Sequence, residues 1–260
     1  MRCQVGPFNR SLRSNTVTVV ASGRVTGRWH ARPGPSAMDA PGRFFLCSYW
    51  PLVKTLGGRR AVEAYALPPY ANGMSRREPD FEHPRPALTS SSRGRGFVPR
   101  LAVGDAVLFT TTKGRWGGGG GRAAHWRLVA VLEVTGRFET HAEAAAWYAA
   151  HGLCPPGNLV VDGNPPLPLP LTLHHGRPHD GDWDAVCLER AAACGIVLVC
   201  APRVLDLHDP PPLVQDDWLA VFGTVPNTRT PPEISEAQFD RLLALADARR
   251  ERPPARRRAA

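Results

Sequence analysis

Residues 101–134 read LAVGDAVLFTTTKGRW, then GGGGG, then RAAHWRLVAVLEV. Two apolar runs flank a glycine-rich gap, and a Gly-Asp pair launches the first. Ala106 to Phe109 is short, apolar and partly β-branched, the pattern of a buried strand. Trp126 to Val134 is a longer run of the same kind. The polar residues Thr110, Thr111, Thr112, Lys113, Arg115 and His125 fall at the facing ends of these runs. The expected fold is α+β: a small mixed β-barrel with peripheral helices, whose mouth is the polar end of this pair.

Composition narrows the function classes. The chain has 260 residues with a formal charge of +9, a balance that usually points to nucleic acid. Its distribution qualifies that reading. Residues 1–37 carry six Arg and no acid, and residues 249–260 carry six Arg and one Glu. The stretch between them is close to neutral, but polarised. Residues 38–127 hold 14 basic and 6 acidic side chains, whereas 128–248 hold 6 and 16. Such a field either steers an anion to one face or draws two surfaces of one fold together. Lysine occurs only at Lys54 and Lys113; the arginine bias, with the Ala, Gly and Pro excess, reads as nucleotide composition rather than phosphate recognition. No apolar run is long enough to cross a bilayer, and no secretory signal follows the start. The six cysteines form no CxxC pair or zinc spacing. A cytoplasmic protein with reduced, mostly structural thiols is expected, with no membrane partner, no metal and no cofactor. Oligomeric state is not readable.

Met38 is a plausible initiator, so residues 1–37 are expected to be disordered or a mis-annotated leader. Residues 38–248 are read as the barrel domain with a C-terminal helical extension, and 249–260 as a basic tail. Phe44 to Tyr49 reads as a first strand. Ala61 to Leu67 reads as a short strand or helical turn. Residues 68–99 form a long irregular segment with enough apolar residues to be ordered. Thr140 to His151 is a helix, since Thr140 and Glu143 have capping-box spacing. Leu159 to Val161 reads as a short strand, Trp183 to Cys194 as a helix and Ile196 to Cys200 as a buried strand. Ser235 to Arg250 is an amphipathic helix capped by Ser235.

The order of these pieces resembles the PUA-like superfamily, which includes EVE, ASCH and YTH domains. The resemblance rests on the first strand running into Tyr49-Trp50, on Val103-Gly104-Asp105 before Val107-Leu108-Phe109, and on Trp126 to Val134 leading into the helix at Thr140. The stretch from Arg76 to Phe109 looks most like domains described as nucleotide-modification-associated. The resemblance covers roughly residues 43–162. It implies a nucleic-acid-binding module, for RNA or DNA, that holds a modified or flipped base. Such a site needs flat walls and edge-reading polar groups. Tyr49, Trp50, Trp116 and Trp126 are the candidate walls. Arg76, Glu78, Asp80, Thr111 and His125 are candidate polar contacts, with a loop pinned by its own ion pairs as the alternative for the first three. Arg93, Arg95, Arg100, Lys113 and Arg115 could form a basic rim.

Other chemistry is weakly signalled. His141-Ala-Glu143 mimics a zinc deaminase motif, but the Pro-Cys-x-x-Cys partner is missing, and His141 is expected at the surface. The glycine run lacks the following Lys-Ser/Thr of a phosphate loop and reads as a hairpin tip. The His174 to Asp184 cluster fits no EF-hand and reads as a solvated acidic loop. Two rivals to the binding module stay open. One is an enzyme on nucleotides or RNA using Lys113 with Tyr49 or Asp105. The other is a protein-interaction domain whose aromatics are all core.

Overall fold

A computed structural model describes residues 42–91, 96–117, 123–178 and 184–250. The glycine run past Gly117, Arg93, Arg95, the leader and the last ten residues lie outside the described residues.

Strand β1 (Phe44–Tyr49) is buried at every position. Its apolar run without alternation is the signature of a strand covered on both faces. It pairs in parallel with β3 (Ala106–Thr111), Phe44 opposite Ala106 and Tyr49 opposite Thr111. The Gly-Asp turn sets this pairing. Gly104 takes φ +91°, a conformation that L side chains resist. The Asp105 carboxylate then accepts from Ala102 N at 2.9 Å and Arg43 N at 2.8 Å. One carboxylate thus ties the starts of both strands together.

Strand β4 (Trp126–Phe138) runs antiparallel to β3 and continues beyond it against β5 (Val197–Leu205). Register shifts near Val131, near Val134 and at Phe109/Thr110 bend the sheet, since an extra residue on one strand increases local twist. Short strands complete the set: β2 (Ala87–Thr89) on β5, β6 (Pro212–Leu213) on β4 and β7 (Glu233–Ile234) on β1. The path runs β2-β5-β4-β3-β1-β7. Among the described residues no pairing joins β2 to β7, so the observed unit is an open, bent seven-stranded sheet and not a closed cylinder.

Among the described residues five α-helices dress the sheet. Helix α1 (Leu56–Tyr65) begins at Thr55, which accepts from Gly58 N at 3.0 Å. Helix α2 (His141–Ala150) carries the full capping box of Thr140 and Glu143. Helix α3 (Ala185–Ala193) starts two residues later than expected. Helix α4 (Gln215–Phe222) was not anticipated, because Pro210 to Val214 reads as loop and eight residues give little periodicity. Helix α5 (Glu236–Arg250) is capped reciprocally by Ser235 and Gln238.

One face of the sheet packs Phe45, Tyr49, Val107 and Phe109 against Tyr70, Phe81, Leu88 and Phe97 of the 68–99 segment. The other packs Phe44, Leu46, Leu108, Trp126 and Leu128 against Trp218 of α4 and Phe239, Leu242 and Ala246 of α5. A third cluster seats Tyr148 of α2 on Leu159 and Val199.

Two local expectations are corrected. Leu159 to Val161 forms no strand: the Leu159 carbonyl accepts from Arg76 and Asn164, and Val160 N donates to His141, so side chains take the ladder's place. His141 is buried, because the first turn of α2 packs onto that same segment. Its Nδ1 accepts from Val160 N at 3.1 Å, which requires the neutral ring. Burial, reinforced by nearby Arg76, lowers its pKa to about 4. The unfolded chain therefore takes up this proton near pH 6.5 and the folded one only near 4. Stability from this group is whole above pH 6.5 and is lost as pH falls toward 4. A thermal-unfolding series should show that loss shrinking in His141→Asn, which keeps an acceptor near Nδ1; an unchanged acid limb would refute the assignment.

Candidate nucleic-acid interface

The hairpin joining β3 to β4 places several predicted residues at one end of the sheet. Thr112 N donates to Tyr49 O at 3.0 Å, and Gly114 and His125 form a bridge with both hydrogen bonds at 2.9 Å. Trp50, Lys113, Arg115, Trp116, His125 and Trp126 therefore share this end. Their environments differ. Trp50 is 52% exposed, while Trp116 is 5% and Trp126 8% exposed. Tyr49 is buried, and its hydroxyl donates to the Tyr70 carbonyl at 2.5 Å.

The four rings do not enclose a common space. Tyr49 and Trp116 belong to the core on one face of the sheet, and Trp126 to the core on the other. Trp126 meets Trp218 edge to face at 5.5 Å. Trp116 lies over Gly114, where a Cβ would come within 2.5 Å of the ring, and its Nε1 donates to Thr112 O at 3.2 Å. Trp50 alone presents an open indole.

Both lysines of the chain come to this end, each over a buried indole. The Lys54 ammonium sits 5.7 Å from the Trp116 ring and the Lys113 ammonium 5.0 Å from Trp126. Lys113 also donates to Gln215 Oε1 at 3.2 Å. Cation–π contact fixes each side chain while leaving its charge in solvent. Among the described residues no carboxylate lies within ion-pair distance of Lys54, Lys113 or Arg115. Lys54 was not singled out from the sequence; the signal was there in a chain that uses arginine nearly everywhere else.

Three polar groups at the hairpin base have buried atoms with no partner among the described residues: Thr110 Oγ1, Thr112 Oγ1 and His125 Nε2. Burial lowers the His125 pKa. Its Nδ1 donates to Ala123 O at 3.0 Å, so in the neutral ring Nε2 is an acceptor. Thr111 is spent internally, its Oγ1 accepting from Arg127 N at 2.9 Å. Arg127 itself is buried and bridges the hairpin to the next loop, donating to Gly117 O, Pro210 O and Asp209.

The remaining candidates sit elsewhere. Arg76, buried, grips Asp184 with two nitrogens and reaches the carbonyls of Leu159 and Asn164. Glu78 accepts from Thr89 N, Thr89 Oγ1 and Asn158 Nδ2 at 2.6–2.8 Å. Asp80 accepts from Gly157 N at 3.0 Å, and Arg77 pairs with Glu82. This cluster clamps the 68–91 segment onto the 154–164 loop. Arg100 stacks near Phe45 and Phe97 and donates to Pro231 O at 3.0 Å. That is the start of β1, the end opposite Lys113, so a continuous rim from Arg100 to Arg115 does not form.

Among the described residues no group of three His, Cys, Asp or Glu is placed to hold a metal ion. Of the described cysteines, Cys187, Cys194 and Cys200 carry free thiols. No helix among the described residues is long and apolar enough to cross a membrane.

No family model matches the chain, and no curated protein does. Among solved structures it is similar to a crystal structure of ASCH from Zymomonas mobilis. The TM-score is 0.36 at 7% identity, over 78% of this chain and 95% of that one. At that level of likeness the function has to be read from this chain's own residues.

Proposed function

We propose that this chain is a nucleic-acid-binding module of PUA-like type whose contact surface is the hairpin end of the sheet. An unpaired base stacks on Trp50, and neighbouring phosphates meet Lys54, Lys113 and Arg115. The observation that carries this reading is the exposed Trp50 at the same end as three cations that no described carboxylate neutralises. An exposed indole offers a flat face on which a base of a single strand can stack. Recognition of a modified or flipped base is the finer form of the proposal. Its edge-reading groups would be Thr112 and His125, whose Oγ1 and Nε2 have no partner among the described residues. Tyr49, Trp116 and Trp126 then act as supports under the surface. Arg76, Glu78 and Asp80 hold the scaffold.

The enzyme alternative finds less support. Asp105 and Lys113 lie at opposite ends of β3, about 25 Å apart at the rise of a strand. Burial pushes the Tyr49 phenol well above its ordinary range, away from acid–base use near neutrality.

Fluorescence anisotropy with labelled single-stranded RNA and DNA of 16 nucleotides tests the reading. Trp50→Ala should weaken binding by about 5- to 100-fold, the equivalent of roughly 1–3 kcal/mol per stacked base. Lys54→Gln with Lys113→Gln should lower the slope of log affinity on log salt by about 0.7 per lost phosphate contact. Unchanged affinity and slope in both variants would overturn the proposal.

A further inference from the structure

The chain that leaves Trp50 runs directly into helix α1. Pro51 bridges to Asn72, a single 3-10 turn spans Leu52–Lys54, and α1 starts at Leu56. Ten residues at 1.5 Å rise give α1 a length of about 15 Å. Gly58 and Ala61 form its buried side. Leu56, Arg59, Arg60 and Glu63 are exposed at spacings of three and four residues, so they share one stripe of the helix.

Arg59 turns back toward the hairpin end, its Nη1 donating to the Val53 carbonyl at 3.2 Å, one residue before Lys54. Arg60 reaches the other way. Its Nη1 lies 3.9 Å from where a Cβ on Gly176 would stand, which brings it next to the exposed Arg177. The loop that carries Arg177 is docked on α1. Thr55 Oγ1 donates to the Leu173 carbonyl, and a Cβ on Gly57 would come within 2.6 Å of the His175 carbonyl. Among the described residues no carboxylate lies within ion-pair distance of Arg59, Arg60 or Arg177. Glu63, the one acid of the stripe, is exposed and pairs with neither arginine. At the end of α1 Tyr65 is 40% exposed and meets the His175 ring edge to face at 6.1 Å. In chain order, then, an exposed indole, a run of unneutralised cations and an exposed phenol follow one another. Cations that track a backbone, interleaved with rings on which bases stack, are what a single strand requires.

We infer that α1 and the 173–177 loop extend the interface: the strand that stacks on Trp50 continues along α1, setting phosphates on Arg59, Arg60 and Arg177 and a further base on Tyr65. The inference rests on the proposed function, and it adds the direction in which the strand leaves the hairpin.

The experiment measures anisotropy of a labelled 16-nucleotide RNA with the full chain. Arg59→Gln with Arg60→Gln should lower the slope of log affinity on log salt by about 1.4, and adding Arg177→Gln by about 0.7 more. Tyr65→Ala should weaken binding by about 5- to 100-fold. A charge-matched control, Arg85→Gln with Arg241→Gln, removes two exposed arginines from the β2 edge and from α5 and should leave the slope unchanged. Thermal midpoints of all these variants should stay within a few degrees of the parent, since none of the replaced side chains is buried. If Trp50→Ala weakens binding while the α1 variants keep the full slope, or lose no more than the control does, the inference is overturned and the hairpin reading stands. A slope that falls in the α1 variants with no response to Trp50→Ala would sink both.

Discussion

Arg76→Ala is expected to cost about 3–5 kcal/mol of folding stability, the range for removing one partner of a buried ion pair. The guanidinium is 5% exposed and uses all three nitrogens. Its loss takes the bidentate guanidinium from the buried Asp184 carboxylate at the start of α3. It also removes a donor from the carbonyls of Leu159 and Asn164, the former keeping only Asn164 Nδ2. Arg76→Lys should recover only part of the loss, since an ammonium cannot reproduce the planar fork. Urea denaturation measures the effect. A midpoint shift worth less than about 1 kcal/mol for the alanine variant would show that this arginine is not what holds the 68–91 segment to the 154–164 loop. Nucleic-acid binding by the folded fraction should be retained, because Arg76 is buried and its bonds go to Asp184 and the 157–164 loop, not to Trp50 or the lysines.

The second large effect is a dependence on pH through Glu78. Desolvation raises its pKa from 4.5 to about 8, against the hydrogen bonds from Thr89 and Asn158, which favour the charged form. The raised value fixes the sign. Between pH 4.5 and 8 the folded chain holds this proton more tightly than the unfolded chain does. Glu78 therefore takes stability away as pH rises through that window, and the loss is complete above about 8. Its full size is on the order of 5 kcal/mol. Glu78→Gln keeps an uncharged group of the same shape, so the variant should resist unfolding better than the native chain at pH 8.5 and match it near pH 5. Parallel thermal-unfolding curves at the two values check this. A variant less stable by the same amount at both would mean that the carboxylate is ionised and well solvated in the fold.

The sequence carried more of the fold than of the site. Strands β1, β3 and β4 were legible because buried strands write continuous apolar runs, and α2 and α5 because their caps are local chemistry between residues three apart. Helix α4 and strands β2, β6 and β7 were not legible. Each is too short to show a period and exists only because a longer element offers it an edge or a face. At the site, the hairpin put Lys113, Trp116, His125 and Trp126 within one local stretch, so their grouping was readable. Which of them meets solvent was not. Trp50 and Trp126 look alike as residues at strand ends, yet one is open and the other lies under α4. The loop acids and arginines were weighed as base contacts or as internal pairs, and only their partners from residues 157–184 resolve the choice.

By itself, then, the amino-acid order determined the strands that pair locally, the helix ends and the position of the hairpin, because hydrogen bonds and periodicity act within a few residues. Tertiary structure alone decided which indole faces water and which groups Arg76 and Glu78 contact. Those outcomes depend on contacts between segments tens to hundreds of residues apart, whose desolvation and pairing energies no short stretch of sequence contains.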